Sequence, residues 1–566
     1  MSLWERLDRR LSELLSPPPV SARPALAGPG NLGILLGAAS PTALFPALEL
    51  PERWDVDPES GESLPNTALP TLAPHRYRAA RIAWRHGWFA QLAHRAALGD
   101  EAAAARAIEG MDGWLRQDLP GVGVGWAHAS DLSVRLIHWH FGLGWLGNAA
   151  PAALREGLAG SAAWHLQSLQ ARLPPPQLGL RRILHACGMV VGGFTFVGLK
   201  EARACRNQGL SMLGWELESQ MFSDGVGKDR AFAWQAQVWW AVAIARAVTW
   251  LNGAPFPKAA DAAFARGARF LQDLSGDLGS LPATGEEPPG DLMAATQPLG
   301  ASLRNLALGW GLDHGDPAPG AEEDPRLCWL RAPLSGAAAS WAGKTWSVWS
   351  YREGGLGIGW LKVKNLPSRV VLDAGESRGG PLTHVAPLAL TWQVGEVAAI
   401  ADPGTGAGAS DLIEAARDPR AHAAPSVGVP LQKPQLERAR VDGKKAQLHA
   451  AACLPGGKKL VREVLLNQSR LVVSDRVEGG GRLRLCWPLG PGWVLERTEK
   501  GWNGKNGDLN LVIQLSDRLI WELEEGRPAP EPAGWIWKDG KPVAAPVLVG
   551  VGEVGEEEVV SSFELR

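Results

Sequence analysis

Tyrosine is nearly missing from this chain, with two in 566 residues. Cysteine is also scarce. The five cysteines, Cys187, Cys205, Cys328, Cys453 and Cys486, are scattered and form no CxxC pair. That spacing excludes a disulfide framework and a zinc knuckle, and it favours free thiols in a reducing compartment. Net charge is lacking too. At −2 there is no global positive field to hold nucleic acid or an anionic membrane, although 57 Lys and Arg leave room for a local basic groove. No stretch is long and apolar enough to span a bilayer, and Val190–Leu199 is short and Gly-rich. The first residues, MSLWERLDRRLSELLSPPP, are charged throughout and lack the unbroken apolar core of an export signal. They read as a small amphipathic docking helix, with surface attachment to a membrane as the alternative, and the default location is the cytoplasm.

Tryptophan, by contrast, is abundant, at 27 residues. Trp can stack on sugar rings, but positions such as Trp239, Trp240 and Trp250 recur at helix-core spacing. A hydrophobic content of 45% and a charged content of 20% are those of a globular protein, and 566 residues exceed what one core supports. After a lead-in over 1–73, residues 74–313 carry a helical period. Apolar residues recur at i, i+3/i+4 and i+7 over Asp100–Leu119, Ser130–Gly147, Pro151–Leu173, Leu199–Met221, Arg230–Asn252 and Ala259–Leu274. Consecutive amphipathic helices with short connections predict packed helical hairpins. Residues 314–326, rich in Pro and acid, read as a linker.

Over 327–566 the period becomes two. Strands are predicted at Thr345–Trp349, Leu356–Val363, Arg369–Asp373, Ala389–Val397, Ala446–Ala452, Leu460–Gln468, Arg470–Asp475, Leu483–Trp487, Leu509–Leu515, Leu519–Leu523 and Val559–Leu565. Many strands with no helices between them imply an antiparallel β-sandwich.

Two segments carry most of the polar pattern. Trp215–Gln235 reads as a polar turn between helices and holds Gln220, Asp224, Gly225, Asp229, Arg230, Trp234 and Gln235. The segment 384–427 places His384, Asp402 and His422 along a strand-rich region. With Trp126…Arg135 and Ile183-Leu184-His185, the order of these motifs resembles that of the heparinase II/III-like polysaccharide lyases. The resemblance implies an incomplete α/α toroid of helical hairpins followed by a C-terminal antiparallel β-sandwich. It covers roughly Pro74 to Leu523.

The match has departures. Where the family has Asn-Asn-His, only His185 is kept. Gln220…Asp224-Gly225 matches a Gln…Asp-Gly turn. Asp229-Arg230…Trp234-Gln235 falls where the family often has Glu-Arg…Tyr-His, so Trp234 replaces the catalytic Tyr and Gln235 the His. Leu382-Thr383-His384 keeps the second His of His-x-His. Asp402-Pro403-Gly404 matches Asp-Pro-Gly, and Arg417…His422 keeps its His. The resemblance implies that His384, Asp402 and His422 bind one structural zinc ion.

The implied activity is β-elimination on an acidic, uronate-containing polysaccharide or oligosaccharide. Such chemistry needs a base, a group that stabilises the carboxylate, and an acid for the leaving oxygen. With no Tyr at 234, His185 is the expected proton carrier and Arg230 the fork for the uronate carboxylate. Trp126, Arg135, Gln220, Asp229, Trp234 and Gln235 are expected to line the substrate cleft between the domains. Each has a plainer reading. His185 could be a satisfied core residue, Asp229 and Arg230 a helix start, Asp131 and Arg135 a one-turn ion pair, Asp402 a turn residue, and Tyr351, which could otherwise supply a phenol from the other domain, a strand residue. Two other functions remain open: a catalytically silent glycan-binding or polysaccharide-assembly protein, and a toroid glycoside hydrolase using Asp224 and Asp229.

Overall fold

The computed structural model describes residues 50–64, 78–173, 179–286, 288, 292, 299–313, 346–376, 386–404, 415–527 and 533–566, apart from isolated positions within these ranges. The N-terminal docking helix, the 314–326 linker and His384 lie outside the described residues.

The helices are α1 (Arg78–Trp84), α2 (Gly87–Ala97), α3 (Glu101–Gln117), α4 (Val124–Ala127), α5 (Ala129–Leu146), α6 (Ala152–Ala171), α7 (Leu180–Thr195), α8 (Ala202–Ser219), α9 (Phe232–Leu251), α10 (Lys258–Ser275) and α11 (Leu299–Gly309). α2, α5, α7 and α9 pack one against the next as an inner row, while α3, α6, α8 and α10 lie against them. Sequence explains the division. α5 is buried at every position except Ala129, and α9 nearly so. A helix with apolar residues on every face belongs inside, and the polar side chains Asp131, Arg135, His138 and His140 of α5 are hydrogen-bonded there. α10 instead has one strongly apolar face, and α3 starts on Asp100, whose side chain accepts from the Ala103 N–H at 2.9 Å. The Gly-rich segment of α7 is a packing device. A Cβ on Gly188 would lie 2.5 Å from the Ser133 Cα of α5. One expectation fails: Trp239 and Trp240 are buried, but Trp250 is 61% exposed, because it sits at the last turn of α9, beyond the core.

The β half is antiparallel throughout its described pairs. β1 (Trp346–Tyr351), β2 (Leu356–Val363), β3 (Leu366–Asp373), β4 (Ala389–Val394) and β5 (Val397–Ile400) form one sheet in that order. Then come β6 (Gln432–Asp442), β7 (Lys445–Cys453), β8 (Lys459–Leu466), β9 (Arg470–Val477), β10 (Gly481–Pro488), β11 (Val494–Thr498), β12 (Gly501–Asn506), β13 (Leu509–Leu515), β14 (Ile520–Glu525), β15 (Trp535–Lys538), β16 (Lys541–Ala544), β17 (Pro546–Val554) and β18 (Val559–Leu565). A second sheet runs β11-β12-β13-β18-β9-β8-β7-β6 and a third β10-β17-β14.

The first sheet is buried on both faces. Leu356, Ile358, Trp360 and Val371 join the helical core, while Leu361, Val363, Val370 and Leu372 join the sandwich core. This explains why β2 and β3 are buried almost continuously instead of alternating. The two halves therefore share hydrophobic surface, and the sheet β1–β5 sets the geometry of their junction.

Candidate functional site

The polar turn between α8 and α9 is where the helical half grips the sandwich. The turn closes on itself: Phe222 N–H donates to the Val226 carbonyl, and Lys228 N–H to that of Gln220. Gln235 braces it, its amide accepting from Gly227 N–H at 3.0 Å and donating to the Gly225 carbonyl at 2.8 Å. Only a side chain with both a donor and an acceptor does this, which explains a Gln here.

The braced turn then holds Gly354, in the β1–β2 connection, by both of its backbone groups. Asp224 accepts from the Gly354 N–H at 2.8 Å, and Arg230 donates to its carbonyl at 2.6 Å. Arg230 spends the rest of its fork on Asp373 of β3, through Nε at 2.8 Å and through Nη2. Both side chains are buried. The guanidinium expected to take a substrate carboxylate already holds an internal one. Asp229 accepts from the Leu180 N–H at 2.9 Å and so caps α7. Asp224 and Asp229 thus both have structural partners.

Beside this clamp lies a cavity of about 390 Å³ lined by Arg230, Asp373, Gly375, Glu376, Ala386, Pro387, Leu431, Gln432, Lys433 and Pro434. It is open to the junction of the two halves and carries two cations and two carboxylates. Two of its lining backbones are left-handed without being glycine: Arg230 at φ 56° and Lys433 at 45°. Each costs about 1–3 kcal/mol, and such strain gathers at ligand sites. Of the expected substrate residues, Arg230 alone lines this cavity. Glu376 and Lys433 lie in no motif that the sequence reading could single out.

The remaining expected residues lie inside the toroid. Trp126 is buried, donates Nε1–H to Asp118 at 2.7 Å, and packs on His165 with ring centres 4.4 Å apart. Arg135 is fully buried. It donates to the carbonyls of Trp84 and Gly125 and to His165 Nε2 at 2.9 Å. Burial lowers its pKa to about 10. The one-turn pair with Asp131 does not form, because Asp131 receives Arg81 and Arg85 instead.

His185 has no exposure. Its Nε2 faces the Leu169 carbonyl at 2.8 Å, and its Nδ1 has no hydrogen-bond partner. Burial pulls its pKa down to about 4, only partly offset by that carbonyl. It is a neutral core imidazole on the α7 face toward α6, which corresponds to the plainer of the two readings. Trp234 is also buried, with the Arg181 guanidinium 5.4 Å from its ring centre. Gln220 is buried and donates to Glu216 at 3.0 Å.

In the sandwich, His422 Nδ1 and Asp402 Oδ2 are 3.1 Å apart, both buried, and Asp402 also accepts from the Gly404 N–H. That separation fits two corners of a zinc tetrahedron, whose ligand–ligand edge is about 3.3 Å for bonds near 2.0–2.2 Å. It also fits a direct hydrogen bond. Among the described residues no group of three His, Cys, Asp or Glu could hold a metal. No helix among them is long and apolar enough to cross a membrane.

No family model and no curated protein matches the sequence. The fold itself is that of the toroid-plus-sandwich polysaccharide lyases. The chain is similar to crystallised heparinase III over 91% of its length and 79% of that chain, with a TM-score of 0.61 at 15% identity. It is also similar to the heparan sulfate lyase HepC from Pedobacter heparinus, over 92% and 79% of the two chains, with a TM-score of 0.52 at 17% identity. A further heparinase III structure gives a TM-score of 0.56 at 16% identity, over 86% and 78%.

Proposed function

We propose that this protein engages an acidic, uronate-containing polysaccharide at the junction between toroid and sandwich, and that its reaction is β-elimination. The observation that carries the reading is the fold, shared over nine-tenths of the chain with a heparinase III. The cavity beside the Arg230–Asp373 clamp is the place for the ligand, since ligand sites favour domain junctions. Lys433 is its exposed cation and Glu376 its exposed carboxylate. Lys433 would meet the uronate, and a carboxylate such as Glu376 supplies a proton acceptor at the rim. We also propose that Asp402 and His422 supply two donors to a structural zinc ion, with His384 as the third.

A second reading is favoured by a specific observation. Trp234 and Gln235, which replace the family's Tyr and His, are buried and serve the fold, and His185 is sealed away from the cavity. A chain with these features suits a silent glycan-binding or assembly protein. One experiment separates the readings. Purified protein is incubated with a panel of uronate polysaccharides, and the ultraviolet absorbance of unsaturated uronate is followed. Rising absorbance supports elimination, and binding without absorbance supports the silent reading. New reducing ends without absorbance would point to hydrolysis.

A further inference from the structure

A second contact between the halves has a different chemistry from the Arg230 clamp. Tyr351, the last residue of β1, donates its phenol to Asp273 Oδ2 of α10 at 2.6 Å, and both residues are buried. Trp360 Nε1 donates to the Asp273 backbone carbonyl at 2.8 Å, and Arg369 donates to that of Leu274. Among the described residues no cation is bonded to the Asp273 carboxylate. Arg269, on the same helix, is engaged with Asp313, while Arg304 of α11 donates to Gln272 and lies 3.6 Å from Asp313. Asp313 and Asp224 add negative charge around the pair. The seam therefore encloses a carboxylate whose bonded partner is a neutral phenol. Such a group is costly to keep ionised in a buried place.

We propose that Tyr351–Asp273 is a proton-operated latch that seats β1 on α10 when Asp273 is protonated and loosens that edge of the sheet when Asp273 is ionised. The seam reaches the cavity through the chain. Tyr351, Leu356 and Asp373 are in register across β1, β2 and β3. Gly354, three residues after Tyr351, is the residue that Asp224 and Arg230 hold. Loosening β1 would thus move the turn gripped by Arg230 at the cavity floor. The latch does not depend on which ligand the cavity takes.

Burial raises the Asp273 carboxyl from 3.8 to about 6, against the lowering effect of the Tyr351 hydrogen bond and of Arg304 and Arg269. In a loosened seam the group regains water and its ordinary value. The closed state thus holds the proton more tightly, and closure is favoured below pH 4 and weakens as pH rises to about 6. Between the extremes the closed-to-open ratio changes about a hundredfold.

The test is hydrogen exchange of the full chain, read at the amides of β1 and corrected for the intrinsic rate. At pH 7.5, Asp273→Asn keeps an acceptor for the phenol without the charge. It should slow β1 exchange by up to about a hundredfold, while exchange in α5 and α7 stays unchanged. Tyr351→Phe leaves the carboxylate buried with no donor and should speed it. In the wild type, β1 protection should rise about fourfold from pH 7.5 to 5.5. Equal β1 exchange in both variants and the wild type would mean that packing alone holds the seam, and would overturn the latch. So would faster exchange in Asp273→Asn.

Discussion

Acidification should unfold the toroid, and its size follows from five buried histidines. His86, His138, His140, His165 and His185 are each at most 2% exposed, and burial depresses the pKa of every one. Hydrogen bonding fixes two of them as neutral. His86 Nδ1 accepts from Trp139 Nε1 at 2.8 Å, so a proton there would cost that bond. His165 Nε2 faces the Arg135 guanidinium at 2.9 Å while Nδ1 faces the Ser161 carbonyl. It must accept at Nε2, and an imidazolium would put like charges in contact.

The unfolded chain binds these protons with a pKa near 6.5. Each group's contribution is therefore whole above pH 6.5 and is lost as pH falls toward the depressed folded values. At pH 5.5 the loss is about 1 kcal/mol per histidine and about 5 kcal/mol for the five, with His138 the smallest contributor because both its ring nitrogens face carbonyl oxygens, of Arg85 and Leu292. Asp273, shifted the other way, returns less than about 1 kcal/mol over this interval. A domain stability of about 5–15 kcal/mol would be largely consumed. Urea unfolding followed by far-ultraviolet circular dichroism at pH 7.5 and 5.5, at fixed ionic strength, measures the difference. His140→Gln removes one titrating ring and should shrink the loss by about 1 kcal/mol. A drop below about 2 kcal/mol in the wild type would refute the reasoning.

Three other outcomes follow from the geometry. Arg230→Ala leaves Asp373 buried without its cation and should cost about 3–5 kcal/mol in unfolding free energy, with Asp373→Asn relieving part of the loss; a neutral Arg230→Ala would show that the pair contributes nothing. His185→Ala should lower the melting temperature through a cost of about 2–3 kcal/mol, from the space left and the orphaned Leu169 carbonyl, while the folded fraction keeps whatever elimination activity the wild type has; a hundredfold fall in turnover would restore His185 as a proton carrier. Metal analysis of protein purified without chelators should find about one zinc per chain, with His422→Ala losing it and melting earlier; metal-free wild-type protein would remove the zinc.

Short-range pattern decided most of the elements. The helical period of α3, α5, α6, α8, α9 and α10 and the alternation of β7, β8, β9, β13 and β18 are visible because adjacent residues report which face is buried. The reading stops where burial departs from local pattern. β6, QKPQLERARVD, is mostly exposed at a sheet edge and carries no alternation, so no strand is predicted there. The strand predicted over Ala389–Val397 runs through Gly395, where at φ 55° the chain turns from β4 into β5, and the rest of β5 is not predicted. No strand is predicted at β17 either, since its PVLVGVGEV has small residues where Trp521 and Leu519 close in.

The motifs show the same division more sharply. The turn from Gln220 to Gln235 is legible as a polar turn that starts a helix, because its hydrogen bonds are local. That Arg230 serves Asp373, 143 residues away, is invisible in sequence, because a guanidinium fork takes a ligand's carboxylate and a protein's equally well. The sequence by itself determined most of the elements, their order and the chemical types at the junction. Only the tertiary structure decided which charges were already satisfied, and so which of those residues remain available to a substrate.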